Sequence, residues 1–484
     1  MVLPVWAPLA VLAAGAFAVY LVARWVSRRN GLLAGLTIAI HALGLLCTAQ
    51  LVRQMGNGGP ALWAPDGAGH AMLASEPGGL LVALVAQSLG MLVSIYSGRY
   101  LALDHRYEDY YPLLLGLSGG VLGMVLASDL FVLYIFAGLT GVVSYTLVAF
   151  RRQTSTAVEA GYKYAIMGGM ATTLMLAGVG YWLRAGGSLD MLAGARAAGS
   201  WGAVGVALVL GGVGLKAALV PAHTWLPDAH SRAPSSISAM LSGILVPAHV
   251  YVFIKTGLLL GWERSLLGGL LIAAALLGMS LGNLMALVQT YGKRMLAYST
   301  IAQVGYILLA FGIGLLYGRA EALAGAFFLL AAHAALKALA FLAKGVCHFY
   351  CDATRLEELD GLYYRLPFTG ACFSIALLGL AGFPPLAVFA GKWLALVGMS
   401  VSEPLVTGLV LLFLANSLLS VAYYAPPIYR LFKTGHERAH VAVSRWMLAP
   451  LALLLGIALA LGVYPGPLMR LAERAAAAML GWGG

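Results

Sequence analysis

Charge is scarce in this chain. Only 10% of its 484 residues are Asp, Glu, Lys or Arg, whereas 61% are hydrophobic. That ratio excludes a soluble globular domain and leaves almost no length for one between apolar segments. Carboxylates are scarcer still, with 18 Asp and Glu against 29 Lys and Arg and a net charge of +11. No P-loop, dinucleotide fingerprint, metal-ligand cluster or nucleophile elbow occurs. The polypeptide alone is therefore expected to hold no cofactor and no metal, and any redox centre belongs to a partner. Cys347 and Cys351 flank His348 in a C-x3-C spacing, which reads as small residues near a helix end rather than a metal site.

What is present is apolar length. A spanning helix needs about 20 apolar residues, and the chain holds about 14 such segments. The fold expected is an all-α polytopic membrane protein. The 61 glycines suit closely packed transmembrane helices. The first apolar segment lacks a preceding basic cluster, so it reads as an uncleaved first span.

The positive charge follows topology and requires no nucleic acid. Arg24, Arg28, Arg29, Arg99, Arg106, Arg151, Arg152, Lys293, Arg294, Arg355, Arg365, Arg430, Lys433, Arg438 and Arg445 fall on alternate loops. The opposite loops carry only Arg53, Arg184, Arg196, Arg264 and Arg319, with Arg470 and Arg474 in the tail. The positive-inside rule then places both termini outside and makes the span count even.

Within the spans, a few ionisable groups stand out because each is costly. Lys216 lies in GGVGLKAALVPAHTWLPDAHSRAPSS, where an ammonium at a helix centre costs about 3 kcal/mol on insertion scales. Pro221 then breaks the helix at membrane depth, with His223 and Asp228 just beyond. A second interruption, Gly382 to Pro385 with Pro384 and Pro385 adjacent, is followed by Lys392. Paired broken helices in corresponding halves point to transporter repeats meeting at the bilayer midplane. His333 and Lys337, four residues apart, share a helical face. His249 lies in the eighth segment and Lys163 opens the sixth. A lone buried histidine is as often a packing residue, but several ionisable groups at similar depth suggest a hydrated proton relay. Lys255 and Lys344, near helix ends, read as snorkelling side chains, and Trp225, Tyr423 and Tyr424 as interfacial anchors.

These residues carry a resemblance. LKAALVPAHTWLPDAHSRAPSSISAMLSG, YGKRMLAYSTIAQVGYILLA, HAALKALAFLAKG, RLEELDGLYYRLP and LAGFPPLAVFAGKW stand in order across about residues 75–435. They resemble the antiporter-like proton-translocating subunits shared by respiratory complex I, multisubunit cation/proton antiporters and membrane-bound energy-converting hydrogenases. The resemblance implies fourteen helices, with two inverted five-helix repeats broken at helices 7 and 12. On that plan residues 1–110 hold helices 1–3, 111–260 the first repeat, 261–435 the second, and 436–484 helix 14 and a tail. It implies pumping, central-relay and exit roles for Lys216, for His333 with Lys337, and for Lys392. Two positions depart from the pattern. Gly138 stands where a helix-5 glutamate pairs with the lysine, and Pro247 stands where helix 8 often has lysine, with His249 two residues on.

The function expected is a proton- or cation/proton-translocating subunit of a complex-I-like respiratory or hydrogenase assembly in a bacterial or archaeal cytoplasmic membrane. Its partners are other membrane subunits, the lipid bilayer and H⁺ or Na⁺. The alternatives are a non-pumping structural subunit of such an assembly, favoured by Gly138 and Pro247, and a membrane partner that energises inorganic-carbon uptake.

Overall fold

The computed structural model describes residues 3–25, 30–55, 62–64, 70–102, 104, 106–192, 199–400, 403–434 and 439–482. Arg28, Arg29, Arg196 and Arg438 of the charge pattern lie outside them. Helices α1 (Ala7–Trp25) and α2 (Asn30–Met55) lead to a small hairpin, β1 (Leu62–Trp63) and β2 (Leu73–Ala74), antiparallel with Trp63 opposite Leu73. Then follow α3 (Pro77–Tyr100), α4 (Tyr107–Leu126), α5 (Leu130–Val148) and α6 (Ser155–Arg184). The next group is α7 (Gly199–Lys216), α8 (Trp225–Arg232), α9 (Ser235–Met240) and α10 (Val246–Leu259). The second half holds α11 (Arg264–Leu287), α12 (Gly292–Leu316), α13 (Ala320–Cys351), α14 (Leu362–Arg365), α15 (Pro367–Ala381) and α16 (Ala387–Gly398). It closes with α17 (Pro404–Leu431), α18 (Arg445–Val463) and α19 (Gly466–Gly481).

Among the described residues, 13 helices are long and apolar enough to cross a membrane, counting α9 and α10 as one through the π-helical turn Leu241–Leu245. The two shorter apolar helices α15 and α16 succeed one another across a break. The all-α membrane fold read from apolar length is therefore the fold observed. The wider π-helical turn sits just ahead of Pro247, a residue that has no N–H for the helical ladder.

Burial sorts the helices. The α9–α10 helix and α13 are wholly enclosed, and α12 nearly so, whereas α1, α2, α17 and α18 expose most of their apolar surface. An exposed apolar exterior around a fully buried centre is what a bilayer solvent permits. Close contacts run along α11 and α12 and along α6 and α7. Gly305 on α12 and Gly205 on α7 lie against partner backbone with no room for a Cβ.

The loops gather at two ends as the alternating charge pattern requires. At one end Leu73 bridges Ala127, and Asp129 bridges Asp190. At the other, Arg151 pairs with Asp104 at 3.0 Å, Tyr291 bridges Arg355, and Lys293 donates to the Ala233 carbonyl at 2.6 Å. Arg430 and Lys433 hold Asp360 at that same end, at 3.1 and 2.9 Å.

Two features differ from the sequence expectation. The seventh apolar run, expected near residues 202–220, stops as helix at Lys216, and Ala217 to Thr224 cross without regular helix. The C-terminal tail holds a further amphipathic helix, α19, which buries Ala472, Ala475, Ala476 and Met479 against α13 and α3. Arg264 donates to the Leu480 and Trp482 carbonyls and so satisfies its C-terminus. Arg470, Glu473 and Arg474 interrupt its apolar residues well short of a spanning length, which is why the segment read as a tail.

Candidate functional site

Lys216 is the last residue of α7 and is buried. Where the helix ends, the Leu215 carbonyl accepts both from the Ala218 N–H at 3.1 Å and from the Trp225 indole at 3.0 Å, which ties the break loop back to α7. Trp225 lies parallel to Tyr164, with ring centroids 4.1 Å apart, and Tyr164 meets Tyr145 edge-on at 4.7 Å. Trp225 is thus a buried wall of the site and not an interfacial anchor. These rings, with Thr140, Gly141 and His249, enclose a cavity around Lys216 of about 10 Å³, room for about one water.

Among the described residues, no carboxylate lies within ion-pair distance of Lys216, and its ammonium has no hydrogen-bond partner in the protein. Gly138, the position that departs from the family pattern, looks elsewhere. A Cβ added there would contact only Thr172 of α6, at 3.9 Å. The α5 position that faces the lysine is Gly141, one turn further on, where an added Cβ would lie 3.1 Å from Lys216 Nζ. Gly141 also makes room for a different group. A side chain there, or at Gly168 on α6, would overlap the Tyr145 hydroxyl. Two glycines therefore seat a phenol beside the ammonium, where the sequence reading looked for a carboxylate.

From Lys216 a buried polar row crosses the molecule. His249 donates from Nδ1 to the Leu245 carbonyl at 2.8 Å, which leaves Nε2 without a protein partner and available as an acceptor. Ser242 and Thr300 share a hydrogen bond of 2.6 Å between α9–α10 and α12. The Ser242 carbonyl accepts from His333 Nε2 at 3.2 Å, leaving His333 Nδ1 free. Lys337, fully buried one turn along α13, donates to the Leu296 carbonyl at 2.7 Å and to the Ser299 hydroxyl. The same Leu296 carbonyl accepts from Thr300 at 2.9 Å, so one acceptor joins the two hydroxyl–lysine groups.

The second break mirrors the first. Gly382 adopts φ +98°, a left-handed conformation suited to glycine, and ends α15. The carbonyls freed there are taken by side chains: Gln303 donates to Leu380 at 2.7 Å, and Lys392 to Ala381 at 3.3 Å. Lys392 also donates to the Ser417 hydroxyl at 2.7 Å and lies 4.4 Å from the Tyr306 ring centroid, a cation–π contact. Tyr423 and Tyr424 are buried beside this group, with the Tyr423 hydroxyl donating to Asn283 at 2.9 Å, so they too are core residues and not interfacial anchors.

The remaining sequence candidates fall outside the row. Pro221, Pro384 and Pro385 sit exposed on the two break loops. His223 is half-buried and bonds only to the Pro221 carbonyl of its own loop, at 3.2 Å. Asp228 lies at one end of the bundle, 3.4 Å from Lys163 and 3.6 Å from Arg294. Lys163 is half-exposed, held by Glu159 at 2.8 Å, and takes no part in the row.

Sequence reasoning missed Tyr145, Glu76, Tyr251 and His230, and besides the three rings corrected above it misplaced two lysines. Lys255 and Lys344 do not snorkel, being 1% exposed each. Lys255 pairs with Glu76 at 2.8 Å, with Tyr251 donating to the same carboxylate at 3.3 Å. Lys344 donates to the Ala353 carbonyl. His230, fully buried and stacked on Phe341 at 5.1 Å, has no hydrogen-bond partner on either ring nitrogen. Its signal was present as a histidine beside a helix break, and Glu76 and Tyr251 had none because their pairing spans 175 residues or more.

The comparisons with known proteins agree with this geometry. Residues 127–420, from the start of α5 into α17, match the family described as NADH:quinone oxidoreductase/Mrp antiporter, transmembrane. The F(420)H(2) dehydrogenase subunit N of Methanosarcina mazei is 31% identical over 415 residues, covering 81% of this chain and 82% of its own length. A chain of an archaeal membrane-bound sulfane sulfur reductase superposes with a TM-score of 0.87 at 27% identity, over 98% of this chain and 97% of that one. A chain of respiratory complex I from Thermus thermophilus does so with a TM-score of 0.78, also at 27% identity, over 96% and 99%. Each of these two solved structures is a multisubunit membrane complex. By the family match over most of its length and by its 31% identical relative, the chain belongs to the NADH:quinone oxidoreductase/Mrp antiporter family of multi-pass membrane subunits.

Proposed function

We propose that the chain conducts protons along the row Lys216, His249, Thr300, His333, Lys337 and Lys392 within a complex whose other subunits supply the redox energy. The observation that carries this reading is that three buried lysines have no carboxylate partner among the described residues, that Lys216 shares a cavity with His249, that hydroxyls and carbonyls connect Thr300, His333 and Lys337, and that Lys392 is held by Ser417. Buried ammonium groups are expensive, and hydrated hydroxyl–imidazole chains are what make such a cost functional. Residues 111–260 and 261–435 form two inverted repeats, each broken once within itself and each presenting one lysine at its break. The basic loop set marks the cytoplasmic side, with both termini outside, in a bacterial or archaeal cytoplasmic membrane.

Partner subunits cover the breaks. Pro221, Phe383, Pro384 and Pro385 are exposed on this chain, and irregular backbone at membrane depth is tolerated only against protein or a water-filled cavity. Proteoliposomes containing the assembled complex test the ion. A pH gradient is expected during turnover without sodium, and it shrinks in Lys337→Met. A gradient that requires sodium, or one unchanged by Lys337→Met, overturns the reading.

The second reading, a structural subunit that no longer pumps, draws on the missing carboxylate beside Lys216. In that case the same substitution leaves the protons moved per electron unaltered.

A further inference from the structure

Away from the lysine row, the end of the bundle that carries Arg151 and Arg355 opens into a cavity of about 290 Å³. Its wall is basic: Arg151, Arg232, Lys293, Lys344 and His348 all line it. Three carboxylates at the wall offset part of this charge: Asp104 holds Arg151 at 3.0 and 3.1 Å, Asp352 lies 3.5 Å from His348, and Glu358 accepts from the lining Thr354 at 2.6 and 3.0 Å and acts on Lys344. Arg232, Lys293 and Lys344 have no carboxylate within 4.0 Å among the described residues. Both lysines are met only by backbone carbonyls, those of Ala233 and Ala353. The charges nearest Lys293 are Arg151, Lys344 and Arg232, all of one sign.

Like charges gathered in a cavity raise the free energy of the empty site and favour an anion in it. The remaining wall suits a tetrahedral oxyanion. Thr154 and Thr156 offer hydroxyls, and because α6 and α12 begin at the cavity while α8 and α13 end there, the basic side chains and not the helix ends set its preference for an anion. A second depression of about 210 Å³, lined by Arg106 and Arg152, shares Arg151 with the first and extends the basic surface outward.

We propose that this cavity binds a phosphate group, presented by the headgroup of an anionic phospholipid. Arg232 and Lys293 take the phosphate oxygens, with the Thr154 and Thr156 hydroxyls beside them. The lipid is the favoured source because the cavity lies where α6, α12 and α13 reach the end of the bundle, and basic pockets between spanning helices capture acidic headgroups. Free inorganic phosphate shares the chemistry and is separated from the lipid by experiment.

The test uses the full-length chain, purified in neutral detergent and stripped of lipid, with thermal unfolding as the readout. Dioctanoyl phosphatidylglycerol is expected to raise Tm saturably. Dioctanoyl phosphatidylcholine, whose phosphate is neutralised by its own choline, is not. Arg232→Gln is expected to raise the half-saturating concentration about tenfold. Lys433→Gln, an equal charge change at the same end of the bundle, leaves it unaltered. If inorganic phosphate alone gives the same saturable shift, and Arg232→Gln weakens it, the phosphate site stands with the free anion as its source. Should Arg232→Gln fail to fold, Thr154→Val and Thr156→Val serve instead, each weakening binding about threefold. No saturable shift with either phosphate source, an equal response to phosphatidylcholine, or variants that bind like the parent overturn the proposal.

Discussion

Glu76 and Lys255 form an ion pair of 2.8 Å whose side chains are 6% and 2% exposed, the best-enclosed ion pair among the described residues. It joins the first residue ahead of α3 to α10, and Lys255 donates on to the Val125 carbonyl at 3.3 Å. A pair so enclosed is bound less by its own attraction than by the cost of leaving either charge alone. Glu76→Gln or Lys255→Met is therefore expected to destabilise the chain by about 3 kcal/mol, and the double variant by less than the sum of the two. Chemical unfolding in detergent micelles measures this. Additive losses would show that the two groups act independently.

Tyr145 is expected to act on Lys216 through the water-sized cavity they share. Tyr145→Phe should leave the unfolding midpoint within about 0.5 kcal/mol of the parent while slowing proton transfer. Gly141→Ala and Gly168→Ala should slow it too, since each would push the hydroxyl out of its niche. Gly138→Ala, in contact only with Thr172, should do neither. Proton-transfer rates and unfolding midpoints for the four variants separate these outcomes.

Lys392 donates to the Ala381 carbonyl and the Ser417 hydroxyl at the second break, so its loss affects structure as well as conduction. Ser417→Ala removes one hydrogen bond to it and is expected to cost about 1 kcal/mol. Lys392→Met leaves the Ala381 carbonyl with only the Ser417 hydroxyl at 3.5 Å and should cost more. Midpoints that rank the other way would contradict the assignment of Lys392 as the ligand of the freed carbonyl.

At the loop end, hydrogen bonds from Lys433 and Arg430 hold the Asp360 carboxyl below the ordinary aspartate range. A depressed folded-state value contributes stability that is present above the unfolded value and is lost as pH falls through the folded one. The loss on acidification should accordingly be smaller in Asp360→Asn than in the parent, at acid pH only. Because Asp360 is partly exposed, added salt should shrink the difference.

Much of this arrangement was legible from cost alone. Lys216, Lys337 and Lys392 declared themselves because an ammonium in an apolar run needs a reason, and both breaks because proline cannot continue a helix. Lys255 and Lys344 escaped the same logic. Near a helix end, a lysine that snorkels and one that is sealed by neighbouring helices have the same local sequence, and burial is decided by segments far away in the chain. Tyr145 was overlooked because the expectation weighed charged side chains, whereas the space beside Lys216 is shaped by two glycines that create room for a phenol.

The central claim is that the buried lysine row carries protons, and the number of protons moved per electron tests it most directly. In proteoliposomes of the assembled complex, Lys216→Met, Lys337→Met and their double variant are expected to lower that ratio to one common value, because sites in series fail together. Electron transfer under uncoupled conditions should persist in all three. An unchanged ratio in the double variant, with the complex intact, would contradict the account and leave the chain a structural subunit.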